Sequence, residues 1–398
     1  MKTSMILAAA AALVLTASCV KVETFENTRD ENVLTFGVYA GNAAQTRATY
    51  GDITTANLKN STDGFGVFAY YTLNNDWAST DTPNFMYNQQ VKYNDSANTT
   101  LYPAKWEYTP LKYWPNGQNS TTVETGTITD KLSFYAYAPQ IATASVNTVP
   151  AAGQGITAIS ANTAAGAPTI SFTVPSKAEE QIDLLWATPV LNQTKQTITG
   201  TINFTFKHAL AKLGIKVQAV VDAVAPTTAN LDSNTKIILE SLEMSADGTK
   251  SGVLTIDSAT ATPNWASKTG ETVVTFDEDS FSATTTVNGK TGFDVTETAQ
   301  YLNEDNSPMI IPGEIASGKY VITANYWVIT EDAALNGGYS TVQQVIKKTS
   351  TAAITFDAGY KYDVLVKLGL TNVSFDVTEV STWTDGAANN VDLPVNNS

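Results

Sequence analysis

Apolar and polar residues alternate over residues 34–40. Leu34, Phe36, Val38 and Ala40 share one face, and Thr35, Gly37 and Tyr39 take the other. A period of two predicts a half-buried strand. A small, polar, turn-rich stretch follows over residues 41–49, with Arg47 in it. Further strand-like runs come at 65–72, 132–138, 170–174 and 182–188, separated by turn clusters. An aromatic-rich extended stretch at 101–114 is interrupted by prolines, and the Ala-, Gly-, Thr- and Ser-rich stretch 141–168 reads as a long surface loop.

Residues 201–219 read as one long or bent strand, alternating over Ile202, Phe204 and Phe206 and again over Leu213, Ile215 and Val217. Strands at 237–244, 252–256, 272–276, 309–311, 320–329 and 360–377 follow. Long segments of helical period are scarce. This spacing predicts an all-β chain of β-sandwiches, divided at the polar connector 192–200. A last alternation, Val391, Leu393 and Val395, lies near the end, where Pro394 lacks the N–H that a central strand needs.

The start of the chain carries a different signal. Lys2 precedes an apolar run over residues 5–15, too short to cross a bilayer, so residues 1–18 read as a secretory signal peptide. The run Leu15-Thr16-Ala17-Ser18-Cys19 resembles a bacterial lipoprotein signal, in which the cysteine becomes the first residue and is acylated. Leu is usual three places before that cysteine, where Thr16 stands here. Ordinary signal cleavage beside an incidental cysteine is the alternative. Several acyl chains on Cys19 would anchor the protein to a membrane at about 0.8 kcal/mol per buried methylene, with the polar residues 21–31 as a tether.

Composition narrows the picture. With 398 residues, 43% of them hydrophobic, the chain is long enough for two or three domains. The net charge is −15, and residues 1–47 carry four positive and four negative side chains, so the body keeps that excess. Such a surface repels phosphate backbones, which excludes nucleic acid as a natural partner. Cys19 is the only cysteine, so the body has no disulfide framework. Arginine occurs twice, at 29 and 47. An Arg-specific protease cutting after Arg47 would free the alternating strand and meet no further arginine. A cut after Arg29 would leave that strand in place.

At this point the motifs fall into a series: Thr46-Arg47-Ala48, then GFGVFAYYT at 64–72, KYWPNG at 112–117, LSFYAYAP at 132–139, IDLLWAT at 182–188, FTFKHALAKL at 204–213, and GYKYDVLVKLGL at 359–370 with a late Trp383. In this order they resemble the fimbrillin family, the lipoprotein (type V) pilins of Gram-negative anaerobes. The resemblance spans nearly the whole chain. It implies two tandem transthyretin-like β-sandwich domains, over 48–198 and 199–398, behind a signal peptide (1–18) and a lipidated propeptide (19–47) that contains the removable first strand. It implies an outer-membrane lipoprotein precursor cut by an Arg- or Lys-specific protease between Arg47 and Ala48. The vacated groove then takes a strand from another subunit, with residues 383–398 as a donor segment around Val391, Leu393 and Val395. The implied partners are other pilin subunits in a homo- or heteropolymer, the processing protease, and host or bacterial surface ligands.

The residues also reach that assembly without the resemblance. A sandwich missing a strand exposes unpaired backbone groups and apolar pockets, and an extended segment from another chain satisfies both. Head-to-tail contacts of this kind do not close, and so make a filament. No cofactor or metal site is expected. His208 is the only histidine; catalysis needs oriented partners and zinc needs several ligands, so a packed or turn histidine is the expectation. Asp277, Glu278 and Asp279 read as solubilising loop residues, and Phe65, Phe68 and Tyr70 as core. Asp95-Ser96-Ala97 and Asp257-Ser258-Ala259 match a short bacterial O-glycosylation pattern. Other functions stand beside a polymerising fimbrial subunit: a fimbrial anchor or tip subunit, a surface lipoprotein that binds glycans or host protein without polymerising, and, resting only on carboxylate abundance, a carbohydrate-active enzyme.

Overall fold

The computed structural model describes residues 32–39, 55–117, 127–142, 155–197, 201–221, 230–257, 262–303 and 307–383. In chain order the first strands are β1 (Thr35–Tyr39), β2 (Phe65–Tyr71), β3 (Met86–Tyr93), β4 (Trp106–Glu107), β5 (Leu132–Ala138), β6 (Ile156–Ile159) and β7 (Thr169–Thr173). Then come β8 (Leu185–Ala187), β9 (Val190–Gln193), β10 (Thr201–His208), β11 (Ala211–Ala219), β12 (Thr235–Thr255), β13 (Asn264–Phe276), β14 (Thr285–Val287), β15 (Lys290–Val295) and β16 (Gln300–Tyr301). The last are β17 (Met309–Ile310), β18 (Gly313–Ile315), β19 (Tyr320–Glu331), β20 (Tyr339–Thr349), β21 (Ile354–Phe356), β22 (Tyr360–Leu368) and β23 (Val373–Thr382). One short α-helix, α1 (Thr55–Asn60), buries Leu58. The chain is nearly all β, as its alternation predicts.

The first sheet runs β1-β10-β8-β5-β2-β3-β4, with β9 attached to β5. A second runs β16-β11-β22-β23, with β17 on β11. The third, β14-β15-β12-β19-β20, is built on the 21-residue β12, which also pairs with β13 and β7. β18 and β21 form a small separate pair. The core between the second and third sheets gathers Leu213, Ile215 and Val217 of β11, Leu242 and Met244 of β12, and Tyr320, Ile322 and Ala324 of β19.

The first sheet is covered on both faces. Phe65, Val67 and Ala69 of β2 face one cluster, which also holds Leu58, Trp106, Tyr108 and Trp114. Phe68 and Tyr70 face another, closed by Ile156 and Phe172 of the β6–β7 hairpin and by Leu254, Ile256, Met309 and Ile311. Hence β2 and β5 are buried on both faces instead of alternating, with Ser133 of β5 accepting from the Asn192 N–H. Two tyrosines of this buried layer find partners for their hydroxyls, whereas the Tyr135 hydroxyl is buried without one among the described residues. Tyr70 donates to the Gly166 carbonyl at 2.8 Å, and Tyr137 to Asn88 Oδ1 at 2.7 Å.

Two expectations are corrected. Residues 201–219 are two strands in different sheets, because Ala209 and Leu210 turn inward into the shared cluster between them. The chain leaves the first sheet after His208. The stretch 141–168 is not all surface loop, since its residues 156–159 form β6 with Ile156 and Ile159 buried. That hairpin joins the third sheet through β7 and β12, so a segment from before the expected boundary serves the sheet after it.

Burial of so many tyrosines has a titratable consequence. It pushes the hydroxyls of Tyr326 and Tyr362 up to about 12, and those of Tyr70, Tyr135, Tyr137 and Tyr320 higher still. Unfolded tyrosine ionises near 10. Their contribution to stability is therefore complete below about pH 10 and is lost as pH rises through the folded values. Absorbance at 295 nm followed against pH should show these groups ionising late, together with the loss of tertiary structure. A single smooth titration near pH 10 for all 17 tyrosines would contradict their packing.

Candidate functional site: the groove beneath the first strand

β1 lies parallel to β10, with Thr35 opposite Thr201, Phe36 opposite Ile202, Val38 opposite Phe204 and Tyr39 opposite Thr205. Both strands alternate in the same sense, so their apolar residues enter one core. Leu34 and Phe36 are fully buried, and Val38 packs partly buried against the same cluster. The Thr35 and Thr201 hydroxyls meet at 2.9 Å on the other face.

Phe36 is the deepest side chain of the strand. Its ring lies 5.4 Å from that of Tyr108, 5.8 Å from Phe204, and 6.3 Å from both Phe65 and Phe134. The contact with Phe204 is stacked and the other three are edge-on, the arrangements that aromatic quadrupoles favour. These rings come from β2, the 101–114 stretch, β5 and β10, so the cage is assembled from distant parts of the chain.

The far side of β1 is held more lightly. Leu34 donates its N–H to the Lys112 carbonyl at 2.9 Å, and Trp114 donates to the Asn32 carbonyl at 2.7 Å. Val33 and Tyr113 form an isolated antiparallel bridge. The Tyr108 hydroxyl donates to the Leu34 carbonyl at 2.7 Å. β1 is thus an edge strand with a full ladder on one side and a short clasp at its start on the other. At its end Tyr39 is 52% exposed.

β10 depends on this strand. Its ladder to β8 covers Phe206, Lys207 and His208 only, supplemented by the Thr188 N–H donating to the Thr205 carbonyl at 3.3 Å. Over Thr201–Thr205 the only described ladder of β10 is the one to β1. Without β1, Ile202 and Phe204 would sit on a strand with a bare edge beside an open apolar pocket, a surface that invites another strand.

The structure brings Leu34, Phe36 and Val38 together in this groove. Ala40, Arg47, Ala48 and Cys19 lie outside the described residues, as do Arg29 and the C-terminal Val391, Leu393 and Val395. Two contributors went unread in the sequence: Tyr108, which closes the Phe36 cage, and Lys112, which clasps Leu34. The aromatic density of 101–114 was the only signal for them.

His208 caps β10 as a packed residue. Its Nδ1 lies 2.6 Å from Asp183 Oδ2, and its ring stacks on Trp383 at 4.2 Å and 5°. Lys212 Nζ sits 5.6 Å from the centre of the Trp383 ring. This ties the last described residue of the chain to the end of β10. Among the described residues, no group of three or more His, Cys, Asp or Glu is placed to hold a metal ion.

A model of the fimbrillin-like family matches residues 46–383. The chain belongs to that family. It is 28% identical over 404 residues to a curated relative, the fimbrium subunit Fim1C of Phocaeicola vulgatus, covering 95% of this chain and 96% of the relative. A crystal structure of a fimbrial protein from Bacteroides vulgatus superposes with a TM-score of 0.63 over 89% of this chain and all of that one, at 24% identity. The fimbrillin-like family is one of structural fimbrial proteins and not of enzymes, so the carbohydrate-active reading is set aside. The match begins at Thr46, immediately before Arg47, and leaves β1 outside it.

Replacing Phe36 by Ala should lower the stability of the full chain by about 3–5 kcal/mol, because the four rings around it cannot collapse fully into the space. Urea unfolding followed by tryptophan fluorescence measures this. A loss under about 1 kcal/mol would show that the ring is not packed as described.

Proposed function

We propose that this chain is a structural subunit of a cell-surface fimbrium, and that β1 is a plug held in place until assembly. The protein is exported, anchored through acylated Cys19, and cut between Arg47 and Ala48. β1 then leaves with the propeptide, and an extended segment from another subunit takes its place along β10. The chain's own residues 383–398, around Val391, Leu393 and Val395, serve as the segment it gives to a neighbour. The polymer supports adhesion at the cell surface.

The observation that carries this reading is the dependence of Thr201–Thr205 on an edge strand that precedes Arg47. Full burial of Phe36 in β1 and of Leu34 just before it contributes about 1.5–3 kcal/mol for each. That is enough to hold it in a precursor, and little enough to be replaced once the covalent link is cut. Membership of a structural fimbrial family supports the reading, as does the start of the match at Thr46. The tie between Trp383 and His208 supports it too, because it sets the root of the C-terminal segment at a fixed place at the end of β10.

Arg47→Ala should keep the precursor monomeric, with its lipidated N-terminus intact. The parent protein should begin at Ala48 when recovered from the cell surface, and should appear as filaments by electron microscopy. Filaments of normal length from Arg47→Ala would overturn the processing step. A surface population starting only at acylated Cys19 would favour a lipoprotein that never polymerises.

A further inference from the structure

The groove has a chemical preference of its own, which rests on the replaceable-strand reading above. We propose that it selects an extended donor segment bearing an aromatic side chain in register with Phe36, and that its donor is therefore a chain other than a second copy of this one.

The cage defines the occupant. Four rings stand around Phe36 at 5.4–6.3 Å, one stacked and three edge-on, and the site is sealed, with Phe36 1% exposed. Interiors are packed to crystal density, so a smaller side chain there leaves a void that the surrounding sheet strands close only in part. The flanking positions ask for less: Leu34 is aliphatic, and Val38 is only partly buried.

Residues 384–398 of this chain, TDGAANNVDLPVNNS, contain no aromatic residue. Aligned by its alternation, the segment would bring Val391, Leu393 and Val395 to the places of Leu34, Phe36 and Val38. Leu393 then meets the aromatic cage. Pro394 brings a second mismatch. Leu34 points its N–H at Lys112, away from β10, so alternation turns the N–H groups of Thr35, Gly37 and Tyr39 toward β10. A segment entering in the direction of β1 places Pro394 at the position of Gly37, where it has no N–H to give. The groove and the tail of this chain are a poor match, whereas the groove and an aromatic-bearing segment are a good one.

The test uses the full chain nicked by an Arg-specific protease, with the fragment 30–47 released in mild urea and retention of fold checked by circular dichroism. A fluorescent peptide of residues 32–41 is the probe, read by anisotropy in competition. Changing the residue that corresponds to Phe36 to Leu should weaken the peptide about tenfold. A peptide of residues 386–398 should compete at least a hundredfold less well, and its Leu393→Phe variant should regain about tenfold. Competition by residues 386–398 within threefold of the probe would overturn the selectivity and restore a homopolymer. Failure of every peptide to bind the stripped, folded protein would overturn the replaceable strand and this inference with it.

Discussion

Over Thr201–Thr205, β10 has one described hydrogen-bonded ladder, and it is to β1. The constraint is simple: a strand inside a core must satisfy its backbone groups on both edges or leave one bare. Ile202 and Phe204 are core residues, and their place depends on a five-residue segment that precedes them by more than 160 positions. The strand replacement proposed for this protein follows from that dependence. It makes β1 structurally necessary, and it makes any replacement for β1 an extended apolar segment.

The rest of the architecture keeps this weak point local. The first sheet is covered on both faces, so β2 and β5 have no bare side, and their tyrosines anchor the middle layer to the β6–β7 hairpin. The β6–β7 hairpin and β12 carry one sheet's edge under another, while His208, Asp183 and Trp383 fasten the end of β10 to the end of β23. Loss of β1 would therefore open one edge of one sheet and leave the second and third sheets with their own core.

What could be read from the residues follows from which forces are local. The alternation over Leu34, Phe36 and Val38 was plain because one face of that strand is core and the other is not. The partnership of β1 with β10 was not, because register between distant parallel strands leaves no local mark. Predominantly apolar runs such as 132–138 announced strands but hid that both faces are buried. The break inside 201–219 was missed because Ala209 and Leu210 are as apolar as the strand residues around them; only their inward turn separates β10 from β11. β6 was missed because Ile156 and Ile159 stand among the small and polar residues of 151–167. Cys19, Arg47, Ala48 and the tail residues were read from motif and position alone.

The most direct test of this account is hydrogen–deuterium exchange at the amides of Ile202 and Phe204, whose N–H groups face β1 in the parallel ladder, comparing the intact chain with protein cleaved after Arg47 and stripped of residues 30–47. The account predicts slow exchange there in the intact chain, fast exchange after stripping, and unchanged protection in β12 and β19. Equal protection of Ile202 and Phe204 before and after stripping would contradict it, since β10 would then not need the strand beside it.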